Sequence, residues 1–163
     1  MADYPHLQTI VLDATDVRAL AEFYRKLLGL QYLPRDEPPA DGSADNDRWL
    51  VLTDAHGARK LTFQAVPALP RVTWPDASGV AQQLHLDLSV PDRESLEIQR
   101  ERALDLGAEQ LLDRADDPEE SFYVFADPAG HPFCILVAVA PHSIPPRRPG
   151  RAAARRITGS SSR

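Results

Sequence analysis

One arrangement of residues occurs twice in this chain, and it limits the fold more than anything else in the sequence. Leu7 to Asp16 leads into a helical stretch that ends at Leu28-Gly29, and Leu84 to Asp92 leads into another that ends at Leu106-Gly107. Aligning Asp16 with Asp92 sets Thr9 on His85, and a glycine closes each stretch. A repeat of this kind means that one structural unit is used twice and that the pair encloses whatever site the chain has. The 163 residues suffice for one shared core and are too few for two independent catalytic domains.

Periodicity fills in each unit. Leu7 to Asp13 reads as a strand of β-branched and aliphatic residues followed by turn formers. Asp16 then caps a helix whose apolar positions Val17, Leu20, Phe23, Tyr24, Leu27 and Leu28 recur at intervals of three and four, with Gly29 as its stop. Leu30 to Leu33 is a short strand. The 14 residues from Pro34 to Asp47 hold three prolines and many acids, a loop of the length at which loops tend to become lids or binding loops. Arg48 to Thr53 and Lys60 to Val66 form two more strands around the turn Asp54-Ala55-His56-Gly57. Module one, about residues 6–67, is therefore β-α-β-β-β. A proline-rich linker, about 68–81, leads to module two, about 82–140. There the strand Leu84 to Val90, the helix from Asp92 to about Leu106 with Gly107 as cap, and strands Ala108 to Leu112, Phe122 to Ala126 and Phe133 to Val139 repeat the order.

Charge separates the body from the tail. Residues 141–163 carry six arginines and no acid, so a net charge of −6 for the whole leaves −12 on residues 1–140. An acidic body repels nucleic acid. The tail, with its prolines and its Gly-Ser-Ser-Ser run, lacks the apolar surface to order itself; it is either a solvated extension or a contact for an anionic partner. The longest apolar run, Phe133 to Ala140, is too short to span a bilayer, and the start has neither a basic nor an apolar leader region. With Cys134 as its one cysteine, the chain is expected to be cytoplasmic, to carry no disulfide and to have no membrane partner.

Strand alternation selects the candidate site residues. In Leu84 to Val90 the even positions are aliphatic, which puts His85, Asp87 and Ser89 on the opposite face. The same period groups Thr9, Val11 and Asp13, and sets Thr62 and Gln64 apart from Leu61, Phe63 and Ala65. Polar groups from three strands thus converge, as a pocket requires. His85 is either a general base tuned by Asp87 or a satisfied, partly buried histidine. Asp13 and Asp87 either orient a ligand or tie down loop amides. Gln64 either hydrogen-bonds a ligand or meets His85 across strands. Cys134, in apolar surroundings, reads as a buried inert thiol. Trp49, Trp74 and Tyr123 either stack on a planar ligand or pack the core. The sequence has no Gly-rich phosphate loop, nucleophile elbow, Cys-x-x-Cys pair or zinc-protease motif.

Asp16-Val17 with Phe23-Tyr24 and Leu28-Gly29-Leu30, then His85-Leu86-Asp87, then Asp127-Pro128-Ala129-Gly130-His131-Pro132-Phe133 together resemble the glyoxalase/bleomycin-resistance/dioxygenase superfamily, the vicinal oxygen chelate fold. The last run is similar to that family's Asp-Pro-x-Gly-Asn turn. Val11-Leu12-Asp13, Phe63-Gln64-Ala65-Val66-Pro67 and His85-Leu86-Asp87 look most like its glyoxalase-like branch, common in actinobacteria. The resemblance covers about residues 6–140 and implies an α+β fold of two tandem βαβββ modules forming a curved, cup-shaped mixed sheet. It places residues 1–140 in one glyoxalase-like domain and leaves 141–163 as a tail.

In metal-dependent members of that superfamily, four strand positions hold a divalent ion. Those positions fall here on Thr9, Gln64, His85 and Cys134, of which His85 alone is a usual ligand. The tetrad is degenerate, so no metal or other cofactor is expected, with a divalent ion as the less favoured reading. The expected ligand-binding set is Thr9, Asp13, Gln64, His85, Cys134, Trp49 and Tyr123, with His85 and Asp87 as the candidates for catalysis. The first functional reading is a binding protein for a small organic molecule, homodimeric by resemblance. The others are a lyase, isomerase or dioxygenase, metal-dependent or working through His85, and a scaffold with a recruiting basic tail. Whether the chain is an enzyme stays open at this level.

Overall fold

The computed structural model of the chain describes residues 4–41, 43, 45, 47–75 and 78–138. Module one runs β1 (Ile10–Ala14), α1 (Val17–Leu28), β2 (Gln31–Tyr32), β3 (Trp49–Thr53) and β4 (Arg59–Ala65). Module two repeats it as β5 (Leu86–Val90), α2 (Arg93–Asp105), β6 (Glu109–Arg114), β7 (Phe122–Ala126) and β8 (Pro132–Val137). Hydrogen bonding gives two four-stranded mixed sheets, ordered β1-β4-β3-β2 and β5-β8-β7-β6. In each, the first strand is parallel to the last and the other pairs are antiparallel. The α+β fold of tandem βαβββ modules expected from the sequence is the fold of the chain.

Local chemistry sets the element ends. Asp16 caps α1 by accepting from the Ala19 amide at 2.9 Å, and Gly29 ends it with φ of 67°, a left-handed conformation that glycine adopts without a Cβ penalty. Asp92 caps α2 from the Ser95 amide at 2.8 Å. Both leading strands begin later than the sequence pattern suggests. Thr9 precedes β1 and His85 precedes β5, because pairing starts at Ile10 with Leu61 and at Leu86 with Phe133. Pro132, the residue before Phe133, has no N–H to extend the second ladder. The loop after β2 is tied to both neighbours: the Asp36 carboxylate accepts from the Val51 amide at 2.8 Å, and Arg18 on α1 donates to the Asp36 carbonyl at 2.7 Å and to Asp45 and Asp47.

Each helix packs on one face of its own sheet, and the two modules share the resulting core. Phe23 and Tyr24 of α1 meet Phe133 of β8 with ring centroids 5.8 and 6.3 Å apart, and Phe133 stacks on Phe125 at 5.2 Å. All of these rings are buried. Burying such aromatic surface contributes on the order of 2–3 kcal/mol per side chain, so the contact of modules is a main support of the fold. At its periphery, Arg102 of α2 donates to the Lys26 carbonyl of α1, and Arg71 pairs with Glu109 at 2.8 Å. The faces of the sheets turned away from the helices carry the candidate site residues. Residues 141–163, expected as a disordered tail, lie outside the described residues.

Candidate functional site

Register shows which polar side chains share a face. In the first sheet Asp13, Gln64 and Trp49 lie directly opposite one another across β1, β4 and β3. Val11, Thr62 and Val51 form the neighbouring row. Thr62 is fully buried, and its hydroxyl shares a 3.1 Å hydrogen bond with that of Thr9. Gln64 and Trp49 are exposed, Trp49 with 49% of its surface accessible. The loose indole contrasts with core aromatics such as Phe63, which is fully buried. Gln64 therefore pairs with Asp13 and Trp49, and the cross-strand contact with His85 is not formed.

In the second sheet His85, Asp87 and Cys134 converge. Asp87 and Cys134 are register partners on β5 and β8, and a donor atom of each of the three residues lies within 4.8 Å of the others. His85 Nε2 is 3.3 Å from an Asp87 carboxylate oxygen, and its Nδ1 is 3.5 Å from the Gln82 amide nitrogen. Gln82 Oε1 is buried without a partner. The Cys134 thiol is pushed up to about 12, first by burial and then by the Asp87 carboxylate beside it, so it stands as a neutral S–H at neutral pH. The site residues thus form two groups: Thr9, Asp13, Gln64 and Trp49 on the first sheet, and His85, Asp87 and Cys134 on the second. Among the described residues, no hydrogen bond or ion pair joins the groups.

Tyr123, expected among the ligand-binding residues, belongs to neither group. It sits opposite Ile135 and Asp113, on the face turned to α2, and is only 3% exposed. Its hydroxyl donates to Glu97 at 2.7 Å while the Arg100 guanidinium lies 5.4 Å from its ring centre. Burial and the Glu97 hydrogen bond push its pKa up to about 12. The aromatic character suited a stacking role, but its position, odd among the alternating residues Phe122, Val124 and Ala126, puts it in the core.

The sequence profile of the glyoxalase-like domain family matches residues 9–136, which is most of the chain. The chain belongs to this family. Solved structures agree on the fold of this glyoxalase-like domain. A glyoxalase/bleomycin resistance protein/dioxygenase family enzyme from Burkholderia phytofirmans is 18% identical, with a TM-score of 0.58 over 81% of this chain and 98% of that one. The fosfomycin resistance protein FosX from Listeria monocytogenes, in complex with Mn(II) and 1S,2S-dihydroxypropylphosphonic acid, is 17% identical, with a TM-score of 0.60 over 84% and 95%. A possible glyoxalase from Bacillus cereus is 15% identical, with a TM-score of 0.55 over 80% and 97%. No protein of curated function matches the chain.

The donor chemistry of the glyoxalase-like domain decides what its four metal-equivalent positions can hold. Thr9 offers a hydroxyl already shared with Thr62, Gln64 a neutral amide, and Cys134 a thiol held in its neutral form. A hard dication favours carboxylate, water and imidazole oxygen and nitrogen donors, and this tetrad supplies one such group, His85. The tetrad does not fit such an ion. Asp87 adds a carboxylate beside His85, and the resulting trio suits an ion only if that ion takes the proton from Cys134.

Two features of the domain were not singled out from the sequence. The Gln82 side chain beside His85 lies at the start of module two, ahead of the strand that the pattern begins at Leu84. Asp127 and His131 were read as a turn, yet Asp127 is 1% exposed and hydrogen-bonded on every side. Its Oδ1 accepts from the amides of Ala129, Gly130 and His131 at 2.9, 2.8 and 3.0 Å, and its Oδ2 accepts from the Tyr24 hydroxyl at 3.0 Å. His131 Nδ1 lies 3.0 Å from the same Oδ2. The signal available in the sequence was His131 itself, a ring standing where the family's turn has an asparagine.

Proposed function

We propose that this glyoxalase-like protein binds a small organic molecule against the sheet face carrying His85, Asp87 and Cys134, without a hard catalytic dication. The observation that carries this reading is the convergence of His85, Asp87 and Cys134 on one open face, where the metal-equivalent positions other than His85 are poor ligands for such an ion. A face of this kind offers hydrogen bonds from His85 and Asp87 and a flat apolar surface from Cys134 and its neighbours. The first sheet supplies the complementary set, Thr9, Asp13, Gln64 and Trp49, with the exposed indole as a stacking surface. Since no hydrogen bond or ion pair joins the groups among the described residues, a second copy that brings the first sheet of one chain onto the second sheet of its partner would complete the cup. The homodimer is thus part of the proposal, as are a single domain over residues 1–140 and a cytoplasmic setting. No described helix is long and apolar enough to cross a membrane.

The 3.3 Å contact of His85 with Asp87 favours a second reading, acid–base catalysis of the lyase or isomerase type. The carboxylate would orient the imidazole toward a bound substrate. The Mn(II) of the FosX complex is the precedent for the metal-dependent alternative, and the donor set argues against carrying it over to this chain. The scaffold reading rests on the arginine-rich tail, outside the described residues.

A fragment screen by protein-observed NMR tests the first reading. Fragments are expected to shift the resonances of Asp87 and Cys134, and His85→Ala to weaken them about tenfold, the loss of one good buried hydrogen bond. Fragment affinities that His85→Ala leaves unchanged would contradict it.

A further inference from the structure

A cavity of about 360 Å³ lies between the modules, away from the second sheet's open face. Its walls are Val11, Leu12 and Asp13 of β1, the linker residues Leu69, Pro70 and Val72, the approach to β5 from Val80 to Leu84, and His131 with Pro132. The lining is mostly aliphatic, and three of its members, Val11, Val80 and Leu84, keep 40%, 42% and 46% of their surface accessible. Side chains of this size are rarely left so open together without a partner. The volume suits a compact organic molecule.

Three polar groups interrupt the apolar wall, one of them the exposed Gln83 amide. Of the other two, the first is the half-buried Asp13 carboxylate, which no hydrogen bond or ion pair reaches among the described residues. The second is His131, whose ring is locked. Asp127 is fixed by the Tyr24 hydroxyl and three amides, and it holds His131 through Nδ1. A carboxylate accepts, so Nδ1 carries a proton, and in the Nδ1–H tautomer Nε2 presents a lone pair for which no protein partner exists among the described residues. The wall thus presents one negative charge and one oriented imidazole edge, with no cationic group to balance the carboxylate.

That combination selects a ligand that is apolar and cationic, with several N–H donors. We propose that this crevice is a second binding site, for a small apolar primary amine in its protonated form. The ammonium group donates to the Asp13 carboxylate and to His131 Nε2, while the hydrocarbon part covers Val11, Val72 and Leu84. An anionic ligand of the same shape is repelled by Asp13 and finds no cationic side chain in the lining. The Asp127–His131 pair acts here as a positioning device, since its buried hydrogen bonds prevent the ring from turning its protonated nitrogen toward the ligand. The site shares Asp13 with the first sheet's set but none of the residues of the second sheet's open face, so shifts at His85, Asp87 and Cys134 tell the two readings apart.

Three probes of one shape test the proposal: phenethylamine, phenethyl alcohol and hydrocinnamate, titrated into the full chain and followed by backbone amide NMR. Phenethylamine is expected to shift Asp13, Val72 and His131 while leaving Asp87 and Cys134 in place. Phenethyl alcohol is expected to bind at least tenfold more weakly, and hydrocinnamate not at all. Asp13→Asn, which disturbs no existing partner, should weaken phenethylamine at least tenfold. His131→Asn, which restores the family's turn residue, should weaken it at least threefold. Absence of phenethylamine binding at millimolar concentration would overturn the site. So would equal binding of hydrocinnamate, shifts confined to Asp87 and Cys134, or unchanged affinity in both variants.

Discussion

Cys134 and Asp87 face each other across β5 and β8, and each alters what the other can do. The carboxylate raises the cost of forming a thiolate, and burial raises it further, so the thiol titrates near 12. At pH 8 the thiolate fraction is then about a thousandfold below that of an ordinary cysteine. Alkylation of Cys134 by iodoacetamide is accordingly expected to be slower than that of free cysteine by about that factor. Replacing the carboxylate by a neutral amide in Asp87→Asn removes the repulsion, lowers the thiol pKa and speeds the reaction. Mass-spectrometric rates for the parent and the variant provide the check, and equal rates would dissociate the two groups. The inert thiol was legible in the sequence from the apolar run around it. The proximity of Asp87 was not, because it depends on which strand lies beside β5, and a parallel pairing between β5 and β8 leaves no local sequence mark.

Elements were the most legible level, since caps and turns act over a few residues. Asp16 and Asp92 each precede a helix and cap it, and both βαβββ orders follow from alternation and turn chemistry. What the pattern missed was strand length, which depends on the partner: the parallel ladders start at Ile10 with Leu61 and at Leu86 with Phe133, which leaves Thr9 and His85 ahead of their strands. The cap of α2 also makes a pH prediction. The Ser95 amide holds the Asp92 carboxyl below its ordinary range. A depressed carboxyl stabilises the folded state above its unfolded pKa, and that contribution disappears as pH falls through the folded value. Asparagine caps a helix about as well and does not titrate. Asp92→Asn should therefore match the parent in urea unfolding at pH 7 and lose less stability than the parent between pH 5 and pH 3. A parallel loss in both proteins would show that this cap contributes nothing to the acid response.

On the scale of the molecule, the two modules are held by one buried hydrogen bond and one aromatic cluster. Tyr24 on α1 donates to Asp127 of module two, and burial with that carboxylate beside it holds the phenol well above its ordinary range, so it remains a donor at any physiological pH. Tyr24→Phe keeps the ring packing and removes the donor, and is expected to cost about 1.5–3 kcal/mol, as for a hydrogen bond to a buried charge. Unfolding should stay a single transition when followed by tryptophan fluorescence and by circular dichroism, because the core is shared. The duplication made this pairing of modules foreseeable. The sequence did not reveal that the candidate residues separate into two groups on different sheets, since that depends on how the modules dock. The same docking leaves both polar faces open, and the proposed dimer follows from it.

The account rests most on the claim that these faces serve an organic ligand without a hard dication. Elemental analysis of the untagged protein, beside His85→Ala prepared in the same way, tests it directly. The expected result is well under one equivalent of manganese, iron, nickel or zinc per chain, with no difference between the two proteins. One equivalent of such an ion in the parent, lost in His85→Ala, would contradict the claim and make His85 a metal ligand.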